Sequence, residues 1–194
     1  MTRMFTSKQY GFTAYELLLS VLIIGLLIAL SYPSWQTSLE KAKHRAAAYQ
    51  LYQFFQFARS SAVYQRRTLS ACASIDKQNC KPSNNWSDSD IILFIDHNRN
   101  GSLDSDDEII RLLTFADKQA HLHWRSFGSK PYLQWQTNGM TYYQNGNFLY
   151  CPKDKNAKNA FMLIINAAGR MYFAEDKNKD GIVEGSDGKN IQCL

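Results

Sequence analysis

Apolar residues crowd into one block near the start of the chain and afterwards alternate with polar ones. From Phe12 to Leu30 nearly every side chain is apolar, and Glu16 is the one charge. Nineteen helical residues rise about 28 Å, enough to cross a bilayer core of about 30 Å. Ahead of the block, residues 1–11 form a short polar leader that carries Arg3 and Lys8 and ends at Gly11. Pro33 predicts a kink or local melting of the helix, because proline lacks the N–H and crowds the preceding turn. The helix then resumes over 34–67. Leu39, Ala42, Ala46, Tyr49, Phe54, Phe57, Ser61 and Tyr64 recur at steps of three to five residues, while Lys41, Lys43, Arg45, Arg59, Arg66 and Arg67 largely avoid them. That pattern predicts one amphipathic face lying on a sheet.

From Thr68 the period shortens. Eight β-type runs are legible: 69–73, 91–96, 108–115, 121–125, 132–136, 146–151, 160–165 and 170–174. Turn signals such as Asn100-Gly101, Asn138-Gly139, Asn145-Gly146 and Asp187-Gly188 separate them. Strands at this spacing, with no βαβ alternation, predict an antiparallel domain. The fold class is therefore α+β: a long N-terminal helix, transmembrane in its first half (12–33), packed on an antiparallel sheet or sandwich head (68–194).

Composition adds three constraints. The chain has 194 residues, 45% hydrophobic and 13% aromatic, which suits one cored domain plus an appendage. The formal charge is +5, and losing Arg3 and Lys8 with the leader would leave +3, a modest pull toward anionic partners. All four cysteines, Cys72, Cys80, Cys151 and Cys193, follow the apolar block. An even number in an exported domain suggests two disulfides, for which three pairings exist. Cys72–Cys80 closes a short loop containing Asp76, Lys77 and Asn79, and Cys151–Cys193 ties down a C-terminus that would otherwise fray. This is the expected pairing.

An ordinary signal peptide fits the N-terminus poorly: the apolar run is long, and Ser31-Tyr32-Pro33-Ser34-Trp35 is no small-residue cleavage box. A plain membrane anchor leaves Glu16 unexplained, since a charge inside a membrane helix costs about 2.5–3.5 kcal/mol. Gly11-Phe12-Thr13-Ala14-Tyr15-Glu16 resembles the processing motif of type IV pilins and type II secretion pseudopilins, and Gly25 and Pro33 match positions where pilin helices loosen. The resemblance implies cleavage after Gly11 by a prepilin peptidase/N-methyltransferase and methylation of the new N-terminal Phe12. It also implies a filament-assembly role for Glu16, whose carboxylate can pair with the Phe12 ammonium of its own or a neighbouring subunit, a buried charge being costly without a partner. Lys41, Lys43 and Arg45 leave orientation open. The resemblance sets it: a single-pass protein of the bacterial inner membrane with a periplasmic head, later carried in a pilus at the cell surface.

Further on, Cys72, Cys80, Trp86, the strand 91–96 with its turn His97-Asn98-Arg99-Asn100-Gly101, Asp107-Glu108-Ile109-Ile110-Arg111, Cys151-Pro152 and Gly169-Arg170 are similar to the GspH/FimT branch of that superfamily. The branch implies a minor subunit that assembles with other pilin and minor pilin subunits. It leaves three readings: a minor pilin in or near a pilus tip, the equivalent GspH-type pseudopilin of a type II secretion system, or a DNA-binding minor pilin for transformation.

Other chemistry is thinner. Two stretches match the oxygen-ligand spacing of a calcium loop: Asp96, Asn98, Asn100 and Asp107, then Asp176, Asn178, Asp180 and Asp187. The same residues also make good hairpin turns. Calcium is the one cofactor this spacing raises. His121 and His123 share a strand face, but two ligands fall short of the three or four a zinc site takes; His44 and His97 have no evident partner. No nucleophile elbow, phosphate loop, His-Glu-x-x-His or Cys-x-x-Cys is present, so the chain reads as a non-enzyme. Lys153, Lys155, Lys158 and Arg170 make a basic region. DNA-binding members carry a second arginine after the Gly-Arg pair, where this chain has Met171-Tyr172, so duplex DNA is expected to bind weakly at most.

The processing motif generates a direct prediction. Mass spectrometry of the mature chain should find an N-terminus at methylated Phe12; a start beyond Leu30 would mark an ordinary signal peptide.

Overall fold

The structure, a computed structural model, describes residues 11–115, 119–141 and 143–193, with the side chains of 30–34, 36 and 37 excepted. Arg3 and Lys8 of the expected leader lie outside the described residues. Helix α1 spans Ala14–Gln65, and eight strands follow: β1 Leu69–Ser74, β2 Asp90–Ile95, β3 Glu108–Leu113, β4 His121–Ser126, β5 Tyr132–Trp135, β6 Gly146–Cys151, β7 Phe161–Ile165 and β8 Met171–Phe173. Every expected strand is present, with ends within two residues of those read from sequence. The chain divides into two compact units, one ending at Ala42 and the other beginning at Lys43.

In the first unit the helix is uninterrupted. Local melting at Pro33 does not occur, because proline removes one hydrogen bond while the turns on either side keep theirs. Leu17, Leu18, Val21, Leu22, Leu26, Leu27 and Ile28 each expose more than half of their surface. Among the described residues no helix is long and apolar enough to cross a membrane. The structure thus adds no support to the membrane-spanning half of the expectation, and the end of that run, from Leu30, lies outside the described side chains.

In the second unit the strands form two antiparallel sheets, ordered β3-β2-β1-β5 and β4-β6-β7-β8. The last turns of α1 fill the space between them. Leu51, Phe54, Phe55, Ala58 and Ala62 are buried, a 3.6-period stripe, together with Leu69, Ala71 and Leu93 of the first sheet and Trp124, Phe148 and Leu163 of the second. This corrects the stripe read from sequence. Of the residues named there, Phe54 and Ser61 are buried, whereas Tyr49, Phe57 and Tyr64 are exposed, Tyr64 at 89%. The five-residue step from Tyr49 to Phe54 was the fault, since it skips from one helix face to another.

Those off-face aromatics sit on the helix flanks instead. Tyr49 and Tyr52 each lie 5.7 Å from the Phe173 ring of edge strand β8, and Arg111 of the opposite edge strand β3 stacks 4.8 Å over Phe57. The helix thus runs between the open edges of the two sheets. It ends with Arg66 in the left-handed region (φ 53°), the Arg67 N–H reaching the Ala62 carbonyl and the Arg66 N–H reaching Val63, which satisfies two of its last carbonyls.

Phe55 is the test of this packing. Phe55→Ala should destabilise the folded chain by about 3–5 kcal/mol, while Tyr64→Ala stays within about 0.5 kcal/mol. Urea unfolding followed by tryptophan fluorescence reads both.

Candidate functional site

At the N-terminus, Gly11 is exposed and Phe12 is 82% exposed, so the expected scissile bond is open to a peptidase. Thr13 caps the helix. Its hydroxyl accepts the Glu16 N–H at 3.3 Å, and the Glu16 carboxylate accepts the Thr13 N–H and hydroxyl at 2.9 Å each. This is a capping box, satisfying helix-end donors reciprocally. The sequence signal for it is the Thr13-x-x-Glu16 spacing, which the sequence analysis above does not use. Glu16 therefore has a local role in the chain as it stands, and the same oxygens lie one turn from Phe12.

Both expected disulfides are present, each with a Cα–Cα separation of 5.6 Å. Cys72 lies on the outer face of β1 and, with Ile92, Phe94, Leu103 and Tyr132, forms a small second core that covers the first sheet from outside. This double coverage is why β1 and β2 are buried at every position. Cys151–Cys193 clamps the C-terminal segment onto the second sheet, where Met162, Val183 and Ile191 pack.

The two acidic loops share one backbone. In each, the first Asp accepts the N–H of the residues four and five further on: Asp96 from Asn100 and Gly101, Asp176 from Asp180 and Gly181. In each, the fourth residue has positive φ (Arg99 62°, Lys179 64°), as does the glycine. A Cβ at Gly101 would run into the Tyr132 ring, so glycine is needed there for space as well as conformation. The carboxylates are already engaged. Asp96, 1% exposed, also accepts from Ser70 Oγ (2.6 Å) and Gln134 Nε2 (2.9 Å), joining β1 and β5 to the loop. Asp107 takes the N–H groups of His97 and Asp104, and Asp187 takes that of Lys189 in a separate turn. Asn98 and Asn100 give their amides to Asp104; Asn178 and Asn190 give theirs to Asp180. Those amides, the Ile182 N–H and the Lys158 charge hold the Asp180 carboxyl below its ordinary value, the Asn190 bond most of all. Among the described residues no group of three or more His, Cys, Asp or Glu is placed to hold a metal. The first loop is the turn between β2 and β3; in the second, the Glu184 N–H returns to the Glu175 carbonyl.

The histidines are spread out. His121 and His123 share the outer face of β4, and burial, then the nearby Arg125, push His123 below its ordinary value. His97 accepts from Arg67 at Nε2 (3.1 Å) and faces Asp107 at Nδ1 (3.4 Å). His44, on the buried helix face, lies 2.7 Å from the Tyr150 hydroxyl, a link the sequence gave no sign of.

The basic residues separate. Lys153, Lys155 and Lys158 precede β7, and Arg170 follows it in the β7–β8 turn. Lys153 bonds Gln119 at 3.2 Å, and Lys158 lies against Gly181 of the second acidic loop. Arg170 is at the end where Arg59 donates to the Gly139 carbonyl (3.2 Å). Four contacts on one strip of phosphates are not what this arrangement offers.

A helix whose last turns are seated between two four-stranded antiparallel sheets is the architecture of a pilin-like protein. Residues 47–169 match the model of the family described as type II transport protein GspH, and the chain belongs to that family. Two crystal structures of the type IV minor pilin FimU of Pseudomonas aeruginosa (strain PAO1) share its fold at 24% identity. One, in space group P21, gives a TM-score of 0.54 over 72% of this chain and 93% of that one; the other, in P65, gives 0.50 over 70% and 94%. The minor pseudopilin EpsH from the Type 2 Secretion System of Vibrio cholerae matches at 11% identity and a TM-score of 0.45, over 68% and 95%. No curated protein matches the chain.

Asp96 holds this head together locally. Asp96→Ala leaves the Ser70 hydroxyl and the Gly101 N–H buried without their acceptor and leaves the Gln134 amide only the Ser70 oxygen, and should cost about 3 kcal/mol in urea unfolding. Asp96→Asn, which keeps one accepting oxygen, should cost less.

Proposed function

We propose that the chain is a minor pilin, a structural and assembly subunit of a type IV pilus sitting in or near the tip. The observation that carries this is the pairing, in one continuous helix, of the Gly11-Phe12 motif and its exposed apolar surface with a GspH-family head. An apolar helix surface of this extent needs cover, because exposed apolar area costs roughly 25 cal/mol per Å². Inner-membrane lipid covers it before assembly, and other pilin and minor pilin subunits cover it afterwards. Prepilin peptidase makes the transfer competent by removing the leader. The cut frees an ammonium at Phe12, within reach of the carboxylate that Thr13 now holds. The head stays in the periplasm until the filament carries it to the cell surface. The work is mechanical and recognitional, with no catalytic step.

The family's own description, a type II transport protein, favours a second reading: the equivalent pseudopilin of a secretion apparatus. Deleting the gene separates the two. Loss of surface pili with normal export of secreted enzymes supports the minor pilin; loss of export with intact pili supports the pseudopilin. Neither phenotype would contradict both.

Glu16→Val probes assembly itself. Removing the carboxylate makes membrane insertion easier and leaves the Phe12 ammonium unpaired. The variant should accumulate in the inner membrane and be depleted from sheared filaments. Wild-type amounts in the filament fraction would contradict the pairing.

A further inference from the structure

The outer face of the second sheet carries a groove. Along one row in register, Arg125 of β4 stands opposite Asn147 of β6, Asn147 opposite Ile164 of β7, and Ile164 opposite Tyr172 of β8. Strand alternation turns all four away from the core, since their neighbours Trp124, Phe148, Leu163 and Met171 are buried. Three interstrand spacings make the row roughly 14 Å long. The C-terminal segment covers the adjoining part of this face through Met162, Val183 and Ile191. That cluster reaches Ile164 of the row and leaves a groove of about 840 Å³ between residues 184–188 and the turn at Phe127. That volume is typical of small-ligand sites.

Some of the lining is engaged: Glu184 accepts the N–H groups of Lys177 and Asn178, and the Ser126 hydroxyl donates to the Lys130 carbonyl, but four polar side chains are unused. The Arg125 guanidinium, the Asn147 amide, the Tyr172 hydroxyl and the Glu175 carboxylate make no hydrogen bond or ion pair among the described residues. Tyr172 is 51% and Phe127 64% exposed, two aromatic rings bordering one open slot.

This combination selects among ligands. The groove crosses the strands instead of following an edge, so a peptide lying in it would find no ladder for its main-chain N–H and C=O groups. A sugar has no such requirement. Its hydroxyls both donate and accept, matching an amide and a guanidinium, and its C–H face packs on an aromatic ring. The guanidinium fork also fits a carboxylate through two parallel hydrogen bonds. We propose that this groove binds a short acidic oligosaccharide, with a carboxylate on Arg125, hydroxyls on Asn147, and a sugar ring on Tyr172 beside Phe127. The site lies wholly within the head and stands whether the chain serves a pilus or a secretion apparatus.

The test is calorimetric titration of the whole chain in detergent micelles with tri-galacturonate, using maltotriose and a penta-glutamate peptide as comparators. Tri-galacturonate should bind, with each comparator at least about tenfold weaker. Arg125→Gln and Tyr172→Ala should each weaken binding by about tenfold or more without changing the melting temperature, because both side chains are exposed and unpartnered. Should either variant melt early, Arg125→Lys replaces it; it keeps the charge, loses the fork, and should still bind several-fold more weakly. Absence of tri-galacturonate binding overturns the proposal. So does equal binding of maltotriose or of penta-glutamate, and so does affinity that survives the substitutions.

Discussion

The ring of Phe55 is the contact on which the head depends. It stacks on Phe148 of the second sheet at 4.8 Å, lies 5.6 Å from Trp135 of the first, and meets Trp86 at 6.5 Å. Among the described residues no strand pairs across the two sheets; Phe55 touches both, beside the bond from Trp124 Nε1 of β4 to the Tyr132 carbonyl of β5. The strands of each sheet pair by backbone; the sheets pair through the helix. A stack of aromatic rings then extends the contact from Phe148 to Trp124 and from Tyr150 to Phe161.

Several features follow from that arrangement. Because α1 lies between open edges, β3 and β8 each need a side chain that turns back to it, supplied by Arg111 on Phe57 and by Phe173 on Tyr49 and Tyr52. Because the helix covers the inner faces alone, the outer faces need other cover. The first sheet receives it from the Cys72–Cys80 loop and the turn around Leu103, anchored by buried Asp96; the second receives it from the C-terminal segment clamped by Cys151–Cys193. The part of the second sheet left uncovered is the groove.

Much of this was legible in sequence, for identifiable reasons. Alternation and Asn-Gly turns located all eight strands, since each strand's pattern is a local property. The disulfides followed from loop length and from a terminus in need of an anchor. The helix face was misread because Tyr49, Phe57 and Tyr64 are large and apolar, and size was weighed above the 3.6 period that Leu51, Phe55, Ala58 and Ala62 keep. The acidic loops matched calcium spacing because the same turn serves both uses: an Asp that can hold an ion can hold two backbone N–H groups instead. What sequence could not show was register. The alignment of Arg125, Asn147, Ile164 and Tyr172 across four strands, and the separation of Arg170 from the three lysines by the length of β7, arise only when the strands pair.

The account joins a head with its own core to a helix whose apolar surface is left bare from Leu17 to Ile28. Its central claim is that other subunits of a filament cover that surface. A photo-crosslinking amino acid placed at Leu22 and activated in intact cells tests this most directly. The account predicts adducts to other pilin subunits in the sheared filament fraction. Adducts to lipid alone, with no filament species carrying the crosslinked chain, would contradict it.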